Sequence, residues 1–195
     1  GMGGGEIVVR PSRRARYNWN SSSIIGNTVL YGATGGALFA AGRAGERFAV
    51  RNSGAVAVIE GVGDHACEYM TGGVVLVLGP TGRNFAAGMT GGLAYVYCGS
   101  QDLEIKDQDA LTWFSNYCNT EMVALNALDA QDEENVRALL IRHLELTASP
   151  QAADLLRRWV GIRHEFVRVK PRAMEQVPLP SMLQRLREQV GVIVA

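Results

Sequence analysis

Gly36-Ala37-Leu38-Phe39-Ala40-Ala41, Gly54-Ala55-Val56-Ala57-Val58-Ile59, Gly73-Val74-Val75-Leu76-Val77-Leu78 and Gly92-Leu93-Ala94-Tyr95-Val96-Tyr97 are four versions of one segment, a glycine turn leading into a short apolar strand. Their glycines lie 18, 19 and 19 residues apart. A fixed period over short strands marks a chain that stacks coils, because one coil cannot bury its apolar side chains alone. Gly5, followed by Glu6-Ile7-Val8-Val9-Arg10, reads as an earlier member, set apart by the polar insertion Ser12 to Ser23.

A second set of segments falls midway between the glycine turns: Asn27-Thr28-Val29-Leu30-Tyr31, Glu46-Arg47-Phe48-Ala49-Val50, Cys67-Glu68-Tyr69-Met70 and Asn84-Phe85-Ala86-Ala87. The spacing predicts two strands and two turns in every repeat. Helices of ordinary length do not fit between turns this close, and each glycine would weaken a helix by roughly 1 kcal/mol relative to alanine. The architecture these features predict is an all-β solenoid, a parallel β-helix, over residues 1–100.

Beyond Ser100 the composition changes. Glycine becomes rare, and Val136, Leu139, Leu140 and Leu144 recur at helical spacing behind the acidic start Asp132-Glu133-Glu134. Ser149 as N-cap and Pro150 at the first helical position predict a second helix, with Leu155, Leu156, Trp159 and Val160 as its apolar stripe and Gly161 as its end. Pro171, Pro178 and Pro180 break the chain before a last helix from Ser181 to Val190. Residues 101–195 are therefore expected to form a helical C-terminal cap and tail that covers the open end of the solenoid, whose strand edges and core would otherwise be bare.

Charge and cysteine content narrow the function classes. Lys and Arg total 19, Asp and Glu total 19, so no global field draws the chain to nucleic acid or to an anionic membrane. No apolar run approaches the ~20 residues of a membrane span, and the N-terminus carries no signal-peptide pattern. Cys67, Cys98 and Cys118 are odd in number and lack C-x-x-C spacing, which points to free thiols in a reducing, cytoplasmic compartment.

Several residues invite a chemical reading. Gly61-Val62-Gly63-Asp64-His65-Ala66 fits the G-x-G-x-x-A dinucleotide fingerprint, but a phosphate cradle needs a helix next and the chain runs instead into another glycine turn. Gly79-Pro80-Thr81-Gly82-Arg83-Asn84 lacks the Lys and Ser/Thr of a P-loop and reads as a turn. Strand alternation would put His65 and Cys67 on one side beside Asp64, yet a zinc site needs three or four ligands, so the expectation is structural: Asp64 and His65 bonding turn backbone, Cys67 in the core. Asn27, Asn52 and Asn84 join Gly36, Gly54, Gly73 and Gly92 as structural turn residues, since asparagine tolerates left-handed backbone. No catalytic, cofactor-binding or metal-ligating residue is assigned. Arg43, Arg47 and Arg51 straddle a turn and a strand, and with Asp64 and His65 they are candidates for a protein interface.

The residues Arg47 to Ala55, Glu60 to Gly73 and Gly82 to Gly92 together resemble the C-terminal β-helix, or GXGXG-motif, domain of the glutamate synthase large subunit. The resemblance continues through Cys118-Asn119-Thr120-Glu121-Met122-Val123 and up to Phe166-Val167-Arg168-Val169-Lys170-Pro171, with Ala66 and Ala148 standing where glycine is expected. It implies a right-handed β-helix, the hand that crossover connections also favour, within a flavoenzyme of ammonia assimilation that makes two glutamates from glutamine and 2-oxoglutarate. Other domains of that enzyme, an amidotransferase and a synthase domain with FMN and an iron–sulfur cluster, carry the chemistry. This domain is implied to be a scaffold between those partners, silent by itself and free of cofactor. The start, Gly1 to Pro11, resembles the interior of the family's longer run of glycines, which fits either a fragment or a stand-alone subunit of a split enzyme. The alternative is an interaction module of another redox complex, such as formylmethanofuran dehydrogenase. The tail from Arg172 onward carries no resemblance.

Overall fold

A computed structural model describes residues 1–12, 14, 21–99 and 109–194, the side chains of 190–194 excepted. The predicted polar insertion thus lies mostly outside the described residues. Strands β1 (Gly3–Val9), β2 (Gly35–Ala40), β3 (Ser53–Ile59), β4 (Thr71–Val77) and β5 (Gly91–Tyr97) pair in parallel, each with the next in sequence. They are the wall of a parallel β-solenoid, as the glycine period predicts. Strands β2 to β5 read as near-continuous apolar runs because both of their faces are buried, whereas β1, at the edge, is exposed along most of its length. Leu38, Ala40, Ala57, Ile59, Val75, Val77, Ala94 and Val96 point into the solenoid, whereas Ala37, Phe39, Val56, Val58, Val74, Leu76, Leu93 and Tyr95 point out beneath the helices.

The register corrects the alignment made on the glycines. Ala37 pairs with Val56, which sets Ala55, not Gly54, in line with Gly36, and the register shifts between Ser53↔Gly72 and Val56↔Val74, so that Gly54 and Ala55 together stand opposite Gly73. Gly36, Gly73 and Gly92 have φ of 88°, 83° and 80°. Gly54 is not left-handed, and its requirement is one of space: a Cβ there would collide with the Thr34 carbonyl of the previous coil.

The predicted second set of strands does not form. In 27–32, 46–51, 64–69 and 83–88 every second residue is left-handed: Thr28, Leu30 and Gly32; Arg47, Ala49 and Arg51; His65, Cys67 and Tyr69; Asn84, Ala86 and Gly88, all with φ between 53° and 66°. Such a backbone cannot join a β-ladder, yet it still bonds sideways to its neighbours. Thr28, Arg47 and His65 donate their N–H to the Glu46, Asp64 and Arg83 carbonyls of the following coil at 2.8, 2.8 and 2.9 Å. Ala49, Cys67 and Ala86 donate backward, to Val29, Phe48 and Ala66, at 2.9, 2.8 and 2.9 Å. Gly32, Arg51 and Tyr69 donate forward again, to Val50, Glu68 and Ala87. Each coil therefore has one strand and one segment of alternating handedness, and Leu30, Phe48, Ala49, Cys67, Phe85 and Ala86 of the second wall close the core against the first.

The C-terminal part differs from a plain helical cap. Helix α1 (Ala110–Ser115) leads into Tyr117–Asn119, which extend the second wall: Phe85 donates to the Tyr117 carbonyl at 2.9 Å and accepts from the Asn119 N–H at 2.8 Å. Strand β7 (Phe166–Pro171) pairs antiparallel with β5, and β6 (Val123–Ala127) antiparallel with β7, giving the order β1-β2-β3-β4-β5-β7-β6. Strands, not helices, finish that end of the sheet.

The helices lie on its outer face instead. Helix α2 (Ala130–Thr147) starts at a capping box formed by Asp129 and Asp132 and buries Val136, Leu139 and Leu140. Helix α3 (Pro150–Arg157) starts where predicted, with the Ser149 side chain accepting from the Ala152 N–H and Pro150 at its first turn. It ends at Arg157, and a one-turn helix α4 (Trp159–Ile162) carries the chain through Gly161, the predicted stop. Helix α5 (Ser181–Val194) places Leu183 and Leu186 in the same apolar layer. Among the described residues, no helix is long and apolar enough to cross a membrane.

Candidate functional site

Two polar clusters and one open face are the places where this fold could act. The first cluster contains the residue types of a hydrolase triad. Ser149, His143 and Glu60 are all fully buried. The Ser149 hydroxyl donates to Glu60 Oε1, and the same oxygen lies 3.3 Å from His143 Nε2. The hydroxyl donates to the carboxylate and not to the imidazole, so the serine–histidine–acid order of a triad is not made, and the serine oxygen is already engaged in capping α3 at 3.0 Å. The cluster fastens α2 and α3 to the corner after β3. Glu60, 83 residues before His143 and 89 before Ser149, gives no local signal of that meeting.

The second cluster ties α2 to β5 and β7. The Tyr95 hydroxyl donates to Asp132 Oδ1 at 2.8 Å and accepts from Asn135 Nδ2 at 3.0 Å, while Arg168 Nη1 reaches both Asp129 and Asp132 at 2.7 Å. Burial raises the Asp132 carboxyl above the usual range even against its hydrogen bonds from Asp129 and Tyr95. For Asp129 the balance falls the other way, since the Asp132 N–H and Arg168 outweigh its burial and lower it. Every strong contact of this cluster is internal to it, and the arrangement is that of a clasp.

The open face is the wall of alternating handedness. Asp64 is on it and behaves as predicted, its Oδ1 accepting the Arg83 N–H of the next coil at 2.7 Å. His65 bonds side chains instead of turn backbone: its Nδ1 lies 2.7 Å from Glu68 Oε1, and Asn84 Nδ2 reaches the same oxygen at 3.1 Å. Asn119 continues the row by donating to Asn84 Oδ1 at 3.3 Å. His65 and Cys67 do not share a side, because one is half-exposed while the other is buried in the core. Of the three turn asparagines only Asn84 is left-handed. Asn27 links coils through Oδ1, which accepts the Glu46 N–H at 2.9 Å. Asn52 is fully buried and closes its own corner, accepting from the Gly54 and Ala55 N–H groups at 3.2 and 2.9 Å and donating to the Ala55 carbonyl at 3.0 Å.

Arg47 and Arg51 are exposed on this wall, and Arg43 is half-buried at its corner beside Ser23. Sequence reasoning missed Tyr31 and Tyr69, which are 45% and 55% exposed. Nothing in the chain marks Tyr69 as left-handed. The signal lay one coil later, in Gly88, where a Cβ would sit 2.6 Å from the Tyr69 ring.

The donor groups do not suit an FMN phosphate or an iron–sulfur cluster. The amides of the G-x-G-x-x-A run are spent between coils: Val62 donates to Pro80, Gly63 to Gly45 and His65 to Arg83, and alternating-handed backbone follows where a cradle needs a helix. The three thiols are buried in the core, and burial pushes Cys98 and Cys118 up to about 12 and Cys67 higher still, the opposite of the thiolates that a cluster needs.

Residues 1–172 match the family model described as GXGXG motif. The chain is 45% identical over 190 residues to the glutamate synthase [NADPH] large chain of Bacillus subtilis, covering 97% of this chain and 12% of that protein. It is 49% identical over 179 residues to ferredoxin-dependent glutamate synthase 2 of Synechocystis, with 91% and 11% covered. To the glutamate synthase [NADH] of Schizosaccharomyces pombe it is 47% identical over 178 residues, with 91% and 8% covered. The chain thus spans about a tenth of the length of these relatives. It belongs to the GXGXG-motif family, in the form that glutamate synthases carry as one domain of a much longer polypeptide.

Proposed function

We propose that this chain is a structural domain of glutamate synthase, cytoplasmic, packing against the amidotransferase and FMN-binding synthase domains and taking no chemical step itself. The observation that supports this most directly is how its polar side chains are used. Glu60, His143 and Ser149 bond one another out of reach of solvent, and Tyr95, Asp132, Asn135 and Arg168 join β5 and β7 to α2. The coils are joined along both walls by backbone hydrogen bonds, which suits a spacer between two active sites. The turnover of glutamine and 2-oxoglutarate, the FMN and the iron–sulfur cluster then belong to the rest of the polypeptide.

Removal and addition test it. A glutamate synthase large chain lacking this domain should lose glutamine-dependent glutamate formation and recover part of it when the 195-residue chain is added back. The purified chain should bind neither FMN nor NADPH by calorimetry. Full activity of the truncated enzyme, or saturable flavin binding by the isolated chain, would refute the reading.

A further inference from the structure

We propose that the exposed wall of alternating handedness is the docking face for an acidic surface of the polypeptide that lies outside these residues in glutamate synthase; the proposal rests on the structural role above and names the face. The sheet wall is unavailable, since its outer side is covered by α2, α3 and α5. Among the described residues, no helix covers the opposite wall. Coils stack about 4.8 Å apart, which sets Arg47 beside His65 and Arg51 beside Tyr69, with the Tyr69 ring lying over Gly88.

The charge on that wall is unbalanced. Arg47, Arg51 and Arg83 are exposed, and no carboxylate among the described residues forms a salt bridge with them. The neighbouring acids are engaged, Asp64 by the Arg83 N–H and Glu68 by His65 and Asn84, which leaves Glu46 alone as an exposed acid. Arginine and tyrosine are residue types that dominate interface energetics, and tyrosine, with two χ angles, loses little entropy when it docks. About nine tenths of each relative's length lies outside the matched region, so the partner has ample chain to come from. A surface rich in Asp and Glu is the one whose potential complements three uncommitted guanidinium groups.

Hydroxyl-radical footprinting read by mass spectrometry tests this on two samples, the 195-residue chain and an intact glutamate synthase large chain that carries it. Tyr69 should be labelled readily in the isolated chain and at least about fivefold less in the intact enzyme, as burial in an interface core requires. Arg47→Glu combined with Arg51→Glu should restore Tyr69 labelling in the intact enzyme and leave the melting of the isolated chain unchanged. Equal labelling of Tyr69 in both samples overturns the docking face; if Met122, 43% exposed at the other end of the sheet, is protected instead, the structural role survives through a different surface. Protection that persists in the doubly reversed variant overturns the acidic partner. No protection at any residue overturns both the face and the structural role.

Discussion

The two walls of the solenoid enclose one core with two different backbones. In the sheet wall, Leu38, Ala57, Val75 and Ala94 reach inward from extended strands whose alternate residues are buried on the far side by helices. In the other wall, Leu30, Ala49, Cys67 and Ala86 reach the same interior from left-handed φ. An L-residue in that region costs about 1–2 kcal/mol, and the wall holds ten of them besides Gly32 and Gly88. The cost is offset by repetition. Because all four coils adopt the same alternation, Thr28, Gly32, Arg47, Ala49, Arg51, His65, Cys67, Tyr69 and Ala86 each find the matching carbonyl on a neighbouring coil. A solenoid wall therefore needs a backbone that repeats from coil to coil, and extended strand is only one such backbone.

If that contrast is right, the sheet wall is the intolerant one at its glycine corners. Gly73→Val should have the largest effect, because it combines φ of 83° with a Cβ that would meet the Asn52 amide at 2.6 Å. A loss of more than about 3 kcal/mol is expected, seen as loss of cooperative urea unfolding. Gly54→Val isolates the steric part, since Gly54 has no left-handed φ but abuts the Thr34 carbonyl. It should fail as badly, and a melt equal to that of the parent chain would mean that coils can slide apart at the corner. Next comes the cover of the sheet wall: Leu139→Ala, at a fully buried position in α2, should cost about 2–5 kcal/mol.

How far the sequence reveals this structure differs between the walls for a physical reason. Glycine pairs and runs such as Val74-Val75-Leu76-Val77 report close approach and two-sided burial, so β2 to β5 could be read directly. The segments Arg47-Phe48-Ala49 and His65-Ala66-Cys67 report only a short, partly apolar stretch between turns, which fits an extended strand as well as it fits alternating handedness. Residues such as Leu30, Ala49 and Cys67 carry no intrinsic preference for left-handed backbone; the neighbouring coils impose it. Strand β7 is legible in Val167-Arg168-Val169-Lys170, which alternates cleanly, although the expectation of a helical cap does not include it. The start of α3 is legible because Ser149-Pro150 is a local signal, whereas α2, expected from the acidic run Asp132-Glu133-Glu134, starts earlier, at the Asp129 cap. Of the open face, Arg47 and Arg51 could be named from sequence, whereas Tyr69 needed the coil stacking to appear.

Corner chemistry should produce a smaller effect than either wall's packing. Asn52→Ala removes three hydrogen bonds at a fully buried site and leaves the Ala55 carbonyl and two N–H groups without that partner. A cost of about 1–3 kcal/mol is expected, measurable by urea titration. Asn27→Ala, where one exposed coil-to-coil bond is lost, should cost under about 1 kcal/mol in the same assay.

The smallest effect should come from the substitution that tests the contrast most directly. Arg51 is exposed and left-handed at φ of 55°. Arg51→Gly relieves about 1–2 kcal/mol of backbone strain and adds about 0.5–1 kcal/mol of unfolded-state entropy. The variant should therefore be unchanged or stabilised by up to about 1.5 kcal/mol, although a glycine is being placed inside a regular element. Val56→Gly, the same kind of change in the sheet wall, relieves no strain and deletes a fully buried side chain, so it should be strongly destabilising. Equal losses at the two positions would mean that the second wall is as extended as the first.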